Sequence, residues 1–401
     1  MGRLLIYETI SRTSPLSIEK TASRDVTERI LRRACAWTIL VFLILGELGL
    51  GWDIQWHALV GRDRFWTPPH ILIYTAVGGA GLVSLFMVLL DTLRYRRKAP
   101  GVDDSSTIAL LRVFHAPLGF IVCGAGPLIC LIAAPFDNYW HQLYGIDITL
   151  WSPFHLMGAI GGILTAFGLV YAFASEVAIE RHAGRAPRTF LGLTTLEWGA
   201  LILLAALLRL TLSALTQFPG FAVGPVELLT YPLPLALGAG LCIVSTLRFT
   251  RRPGAATILG LLTVLHTLIS EAFVPWAVRV MVIRMGLTYR FPGRLPFFNL
   301  TATLLSLTFV VAGLLIDIIV FGLRRADSPG WLLGMLAALP AGIVAPLIIV
   351  TTVNLLPAGI VYMPAQALPP LLATLPLVLA VGALAGVPGE KLGKTWYENR
   401  R

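Results

Sequence analysis

The chain has 401 residues, 56% of them hydrophobic and only 13% charged, with a mean hydropathy of +0.79, whereas soluble domains carry roughly 25% charged residues. Such a length holds on the order of ten apolar spans of about 20 residues joined by short turns, which excludes a sizeable aqueous domain. The excess of 31 Lys+Arg over 21 Asp+Glu, net +10, would suggest nucleic acid in a soluble chain; in a membrane chain it reports orientation, and no nucleic-acid partner is expected.

In chain order, residues 1–33 read as a basic cytoplasmic tail, and the apolar run from Ala34 to Leu50 reads as a signal anchor and first span, with no small-residue cleavage site behind it. Apolar runs and their breaks predict helices near 34–56, 68–92, 107–134, 152–179, 191–216, 229–247, 255–276, 296–322, 330–353 and 366–387, with a cytoplasmic tail over 388–401. The expected fold is all-α: a polytopic membrane protein of about ten transmembrane helices paired as five hairpins. Cys35, Cys123, Cys130 and Cys242 all lie inside apolar stretches and read as packing residues, not as a disulfide framework or a metal site.

Basic clusters recur at every second turn: Arg29, Arg32 and Arg33; Arg94 to Lys98; Arg181 to Arg188; Arg248 to Arg252; Arg324 and Arg325; and Lys391 to Arg401. The positive-inside rule then puts both termini in the cytoplasm of a bacterial-type inner (plasma) membrane. One turn dissents. Arg279, Arg284, Arg290 and Arg294 fall in a loop this topology places outside, so either the loop has a task such as holding an anionic headgroup, or helices seven and eight are miscounted.

The first two hairpins are related to each other. Asp53-Ile-Gln-Trp-His57, followed by Leu59, Gly61, Asp63, Trp66, Pro68 and His70, aligns with Asp137-Asn-Tyr-Trp-His141, followed by Leu143, Gly145, Asp147, Trp151, Pro153 and His155. The offset is 84 residues at the first histidine and 85 at the second, as expected if one helical hairpin was duplicated and gained one residue in a turn. Residues 34–180 therefore form a duplicated four-helix unit, and 181–387 a six-helix unit of no assigned role. The later hairpins keep a proline near the start of their second helix (Pro232, Pro296, Pro369) without such histidines.

The spacing has a chemical meaning. Asp53 and His57, like Asp137 and His141, are four residues apart and project from one face of a helix end. His70 or His155 begins the returning helix, just after a proline suited to the first turn and a tryptophan suited to the membrane interface. Two imidazoles and a carboxylate make a three-ligand set with open positions, matching copper, zinc or non-haem iron. Either triplet alone could be a helix cap or an ion pair. Two copies of one costly arrangement at the edge of hydrocarbon favour a metal. Asp63 and Asp147 read as turn caps or as partners of a histidine N–H. Glu47, Glu197, Glu271 and Asp317 are acidic residues in or beside spans, with Glu47 off the face of Asp53, and Gly78-Gly79 and Gly161-Gly162 read as close helix contacts. No P-loop, GxGxxG, GxSxG or HExxH is present.

At these residues the chain resembles the C subunit of the copper membrane monooxygenases, the particulate methane and ammonia monooxygenases. Asp-x3-His-x12-His at Asp53, His57 and His70 is similar to that family's copper-binding pattern. His141-x13-His155 is similar to its neighbouring site, where Asn normally stands in place of Asp137. The resemblance covers about 34–180. It implies a pair of intramembrane copper sites able to activate dioxygen toward a small apolar substrate, with other membrane subunits as possible partners besides the lipid bilayer. Two other functions fit the same residues: a copper-binding or transport module without oxidation, and a polytopic lipid-linked glycosyltransferase with Asp53 as base and the four outward arginines holding a carrier phosphate. The last leaves the paired histidines unexplained.

Overall fold

The computed structural model describes residues 15–61, 64–99, 106–145, 151–184, 188–214, 221–224, 226–228, 230–325, 327–355, 370 and 373–398. Ten helices among them are long and apolar enough to cross a membrane, and the protein is an all-α polytopic membrane protein. They are α1 (Pro15–Leu59), α2 (Pro68–Arg96), α3 (Leu118–Tyr144), α4 (Pro153–His182), α5 (Thr195–Ser213), α6 (Pro232–Thr250), α7 (Ala255–Arg284), α8 (Leu300–Gly322), α9 (Gly330–Leu355) and α10 (Leu375–Glu398). Helix α6 contains a π turn at Ala239–Ile243, and α8 ends in another at Ile318–Gly322.

Three expectations are corrected. Residues 107–117 are not the start of the third helix; they form a hairpin of β1 (Thr107–Leu110) and β2 (Phe114–Pro117). Pro117, lacking an N–H, belongs ahead of a helix and not within one, and Leu111 and Arg112 both take positive φ (51° and 57°) in the three-residue connection Leu111–Val113 between the paired Leu110 and Phe114, a backbone twist suited to a tight hairpin. Two shorter hairpins, Thr189–Phe190 with Leu193–Thr194 and Phe221–Val223 with Val226–Leu228, precede α5 and α6. At the N-terminus the first helix does not start near 34, because α1 is already helical from Pro15. Its Arg32 is buried between Glu28 (2.6 Å) and Asp91 (3.3 Å). At the C-terminus, residues 388–398 are the last turns of α10, with Trp396 buried.

Small residues allow the helices to approach closely, as expected where apolar lipid gives helices little hydrophobic reason to associate. Gly126 of α3 faces the Gly161 carbonyl and Thr165 of α4, and Gly119 faces Ala172. Gly260 and Gly313 join α7 to α8; Gly334, Gly382 and Gly386 join α9 to α10; and Gly393 lies against Ser245 of α6. Of the two sequence pairs, Gly79 lies against Phe42 and Gly161 against Cys130, while Gly78 and Gly162 face open space.

One end of the bundle is joined by ion pairs. Arg33 reaches Glu176 (2.9 Å) and Glu180 (2.8 Å), and Arg94 reaches Glu28 (3.4 Å). Glu197, which closes a capping box with Thr194, takes Arg181 (3.0 Å) and Arg252 (3.2 Å), while Arg248 meets Glu390 (3.2 Å). The histidine triplets lie at the other end. A Cβ at Gly126 would overlap Thr165 Oγ1 and the Gly161 carbonyl, neither of which is a flexible chain end, so Gly126→Val should force α3 and α4 apart. The expected cost is about 1–3 kcal/mol, read as a lower Tm of the detergent-solubilised protein.

Candidate metal centres

Each triplet is assembled by one helical hairpin. Asp53 and His57 occupy the last two turns of α1, which stops at Leu59, and Gly61 turns the chain with φ 67°. Helix α2 restarts after Thr67 with Pro68 in its first turn, placing His70 there. The second hairpin repeats this arrangement. Asp137 and His141 end α3, Gly145 takes φ 85°, and α4 starts after Ser152 with Pro153 and then His155. Positive φ suits glycine, and proline suits a helix's first turn; both occur at corresponding positions. Ser152 also caps α4, accepting from the His155 backbone N–H (3.4 Å).

The side chains converge as the spacing predicts. Asp53 Oδ2 is 3.4 Å from His57 Nδ1, and its Oδ1 is 3.2 Å from His70 Nε2. Asp137 Oδ2 is 3.4 Å from His141 Nε2, and its Oδ1 is 3.3 Å from His155 Nε2. In each group one ligand atom per residue lies within 4.8 Å of the others. A tetrahedral ion with bonds of about 2.0–2.1 Å holds neighbouring donors roughly 3.3 Å apart, and the carboxylate–imidazole separations of 3.2–3.4 Å in both groups match that value.

Protonation sharpens the fit. His70 Nδ1 lies 3.1 Å from the Arg64 carbonyl and His141 Nδ1 lies 3.1 Å from the Gly145 carbonyl. Those contacts place a proton on Nδ1 and, in the neutral ring, leave Nε2 with a lone pair facing a carboxylate oxygen. Two acceptors face each other, and a cation has to sit between them, either a second proton or a metal. Backbone carbonyls that orient the far nitrogen of a histidine are the usual outer support of a metal site. Asp53 Oδ1 and Asp137 Oδ1 are also buried without an aligned hydrogen bond from the described residues.

The two centres differ in cover. Trp52, Trp56, Leu59 and Val60 pack with Val274, Val278 and Val282 of α7, and the Arg290 N–H donates to the Leu59 carbonyl (2.7 Å), roofing the first centre. The His57 side chain is 5% exposed. Nothing equivalent among the described residues covers the second, where the His155 side chain is 27% exposed.

Asp63 and Asp147 lie outside the described residues. Of the other acidic residues, Asp317 accepts from the Thr257 N–H (2.9 Å) and hydroxyl (2.7 Å), Glu197 belongs to the ion pairs of the far end, and Glu271 accepts from the Asn299 N–H (3.3 Å). Glu47 does not join the first centre. It meets Arg209 of α5 and His266 of α7, and Arg209 also donates to Ser270. Arg209 was missed in the sequence; its signal was an arginine in the middle of an apolar run. His115 is equally remote, stacked on Tyr95 with ring centroids 3.6 Å apart. The four cysteines are free thiols.

Comparison with protein-family models, with characterised proteins and with solved structures finds no match to this chain. The residues themselves therefore carry the functional argument. Their difference in cover predicts that diethyl pyrocarbonate modifies His155 well before His57, read by peptide mass spectrometry. Equal rates would mean that the first centre is as open as the second.

Proposed function

We propose that this integral membrane protein binds two transition-metal ions, copper foremost, through Asp53, His57 and His70 and through Asp137, His141 and His155. The observation that carries this reading is the recurrence, in two hairpins, of one carboxylate and two imidazoles with carboxylate–imidazole separations of 3.2–3.4 Å. Zinc and iron accept the same donors; the resemblance to the copper membrane monooxygenase C subunit favours copper. Copper so held supplies one-electron chemistry with dioxygen, and the function we infer is that of a monooxygenase-like subunit acting on a small apolar substrate.

The chain's own contribution is binding and orientation. Arg64 and Gly145 carbonyls hold His70 and His141 with Nε2 turned to the carboxylate. The α7 apolar face excludes water from the first centre. An apolar substrate reaches the second centre from its open side, where Phe136, Tyr139, Tyr144 and Trp151 are exposed. That openness also supports a second reading, in which the second centre passes copper on without oxidation.

Copper loading followed by elemental analysis should give about two equivalents, falling by about one in His57→Ala. Absence of bound metal in the wild type overturns the proposal. Oxidation of a small hydrocarbon by the loaded protein with a supplied reductant separates the two readings. Asp137 adds a full charge where the resembling family has an amide, and a divalent ion at the edge of a low-dielectric medium is better neutralised by it. Asp137→Asn should therefore weaken divalent binding at the second centre by about 10–100-fold, with a smaller effect at the first. An unchanged affinity in calorimetric titration would make Asp137 a helix-end cap.

A further inference from the structure

Of the four arginines that break the alternating charge pattern, the structure places Arg279 and Arg284 in the last two turns of α7 and not in a loop, while Arg290 and Arg294 lie in the connection between Arg284 and the start of α8 at Leu300. This segment sits at the end of the molecule that bears the histidine triplets, since the Arg290 N–H bonds the Leu59 carbonyl (2.7 Å) and the Arg290 stem lies against Gly61. At the opposite end Arg32, Arg33, Arg94, Arg181, Arg248 and Arg252 have carboxylate partners, while Arg96 donates to the Val113 carbonyl and Arg251 lies over the Tyr397 ring. Arg279, Arg284, Arg290 and Arg294 have none among the described residues. Arg279 donates instead to the Pro296 carbonyl. Arg290 and Arg294 flank one ring, with their guanidinium carbons 5.2 Å and 5.1 Å from the Phe291 centroid.

Two guanidinium groups gathered on one aromatic ring repel each other, and an anion between them removes that repulsion. Arg284 has a simpler role, as a cation at the last turn of a helix, but Arg290 and Arg294 lie beyond any helix. Their neighbours identify the anion's carrier. Ile283, Met285, Phe291 and Leu295 are exposed apolar side chains interleaved with the arginines, and a soluble anion leaves these in water while an acylated one covers them. We propose that Arg290 and Arg294, astride Phe291 and supported by Arg279 and Arg284, form a headgroup site for an anionic phospholipid in the leaflet at the histidine end. Because Arg290 is bonded to the residue two positions after His57, a bound headgroup also braces the turn of the first triplet.

Native mass spectrometry of the full chain, released from nanodiscs of phosphatidylglycerol or of phosphatidylcholine, tests this. One basic side chain at an anionic surface contributes roughly fivefold in affinity, so R290Q/R294Q should weaken phosphatidylglycerol binding by about 25-fold. R290K/R294K should keep most of it, which separates charge from misfolding. Lipid held by the arginines of the opposite end is common to all variants and cancels in the comparison. Equal retention of the two lipids, or unchanged retention in R290Q/R294Q, overturns the proposal. Displacement of the lipid by millimolar inorganic phosphate also overturns it, because the site would then belong to a free anion.

Discussion

An unanswered charge is costly in a hydrocarbon setting, and the arrangement of this protein follows from how each charge is answered. At one end carboxylates and guanidinium groups from α1, α2, α4, α5, α6 and α10 pair across the bundle, fixing helices whose apolar faces alone have little reason to associate in lipid. In the middle Glu47, Arg209 and His266 answer one another. At the other end, two carboxylates are each faced by two imidazoles. These are the places where we propose that a metal cation completes the balance.

The hairpin is the device that places those groups. A glycine with positive φ ends the first helix, a proline starts the second, and the histidine in the new first turn is thereby returned to the Asp–His pair it has just left. Each hairpin brings its own Asp and two His together with little help from the rest of the fold. What the rest of the fold adds is difference. Helix α7 and its following segment close the first centre, and the second stays open at the rim. Two similar donor sets thus acquire unequal access to water, to ions and to apolar molecules.

Glu47 and the arginines that follow α7 show opposite outcomes of the same constraint. Glu47 lies on the helix that ends in the first triplet, yet its side chain turns to α5 and α7, so it supports the packing of those helices and not the donor set. Arg290 and Arg294, between α7 and α8, are exposed and have no carboxylate partner among the described residues, and the countercharge we propose for them is a lipid headgroup.

Much was determined by the sequence alone. Apolar runs of span length set the ten helices, because hydrocarbon thickness admits few other structures, and the recurrence of Asp, two histidines, glycine and proline marked both centres, because local helix geometry places residues four apart on one face and a tight turn brings the third back. Tertiary structure decided the rest. Pro117 and the positive φ of Leu111 and Arg112 turned a predicted span start into a hairpin, and the close contacts of Gly389 and Gly393 with α6 carried the last helix past its predicted end. The pairing of Glu47 with Arg209 and His266, and the roof over the first centre alone, join residues more than 160 positions apart. Such contacts depend on which helix faces which, and apolar periodicity in lipid does not encode that choice.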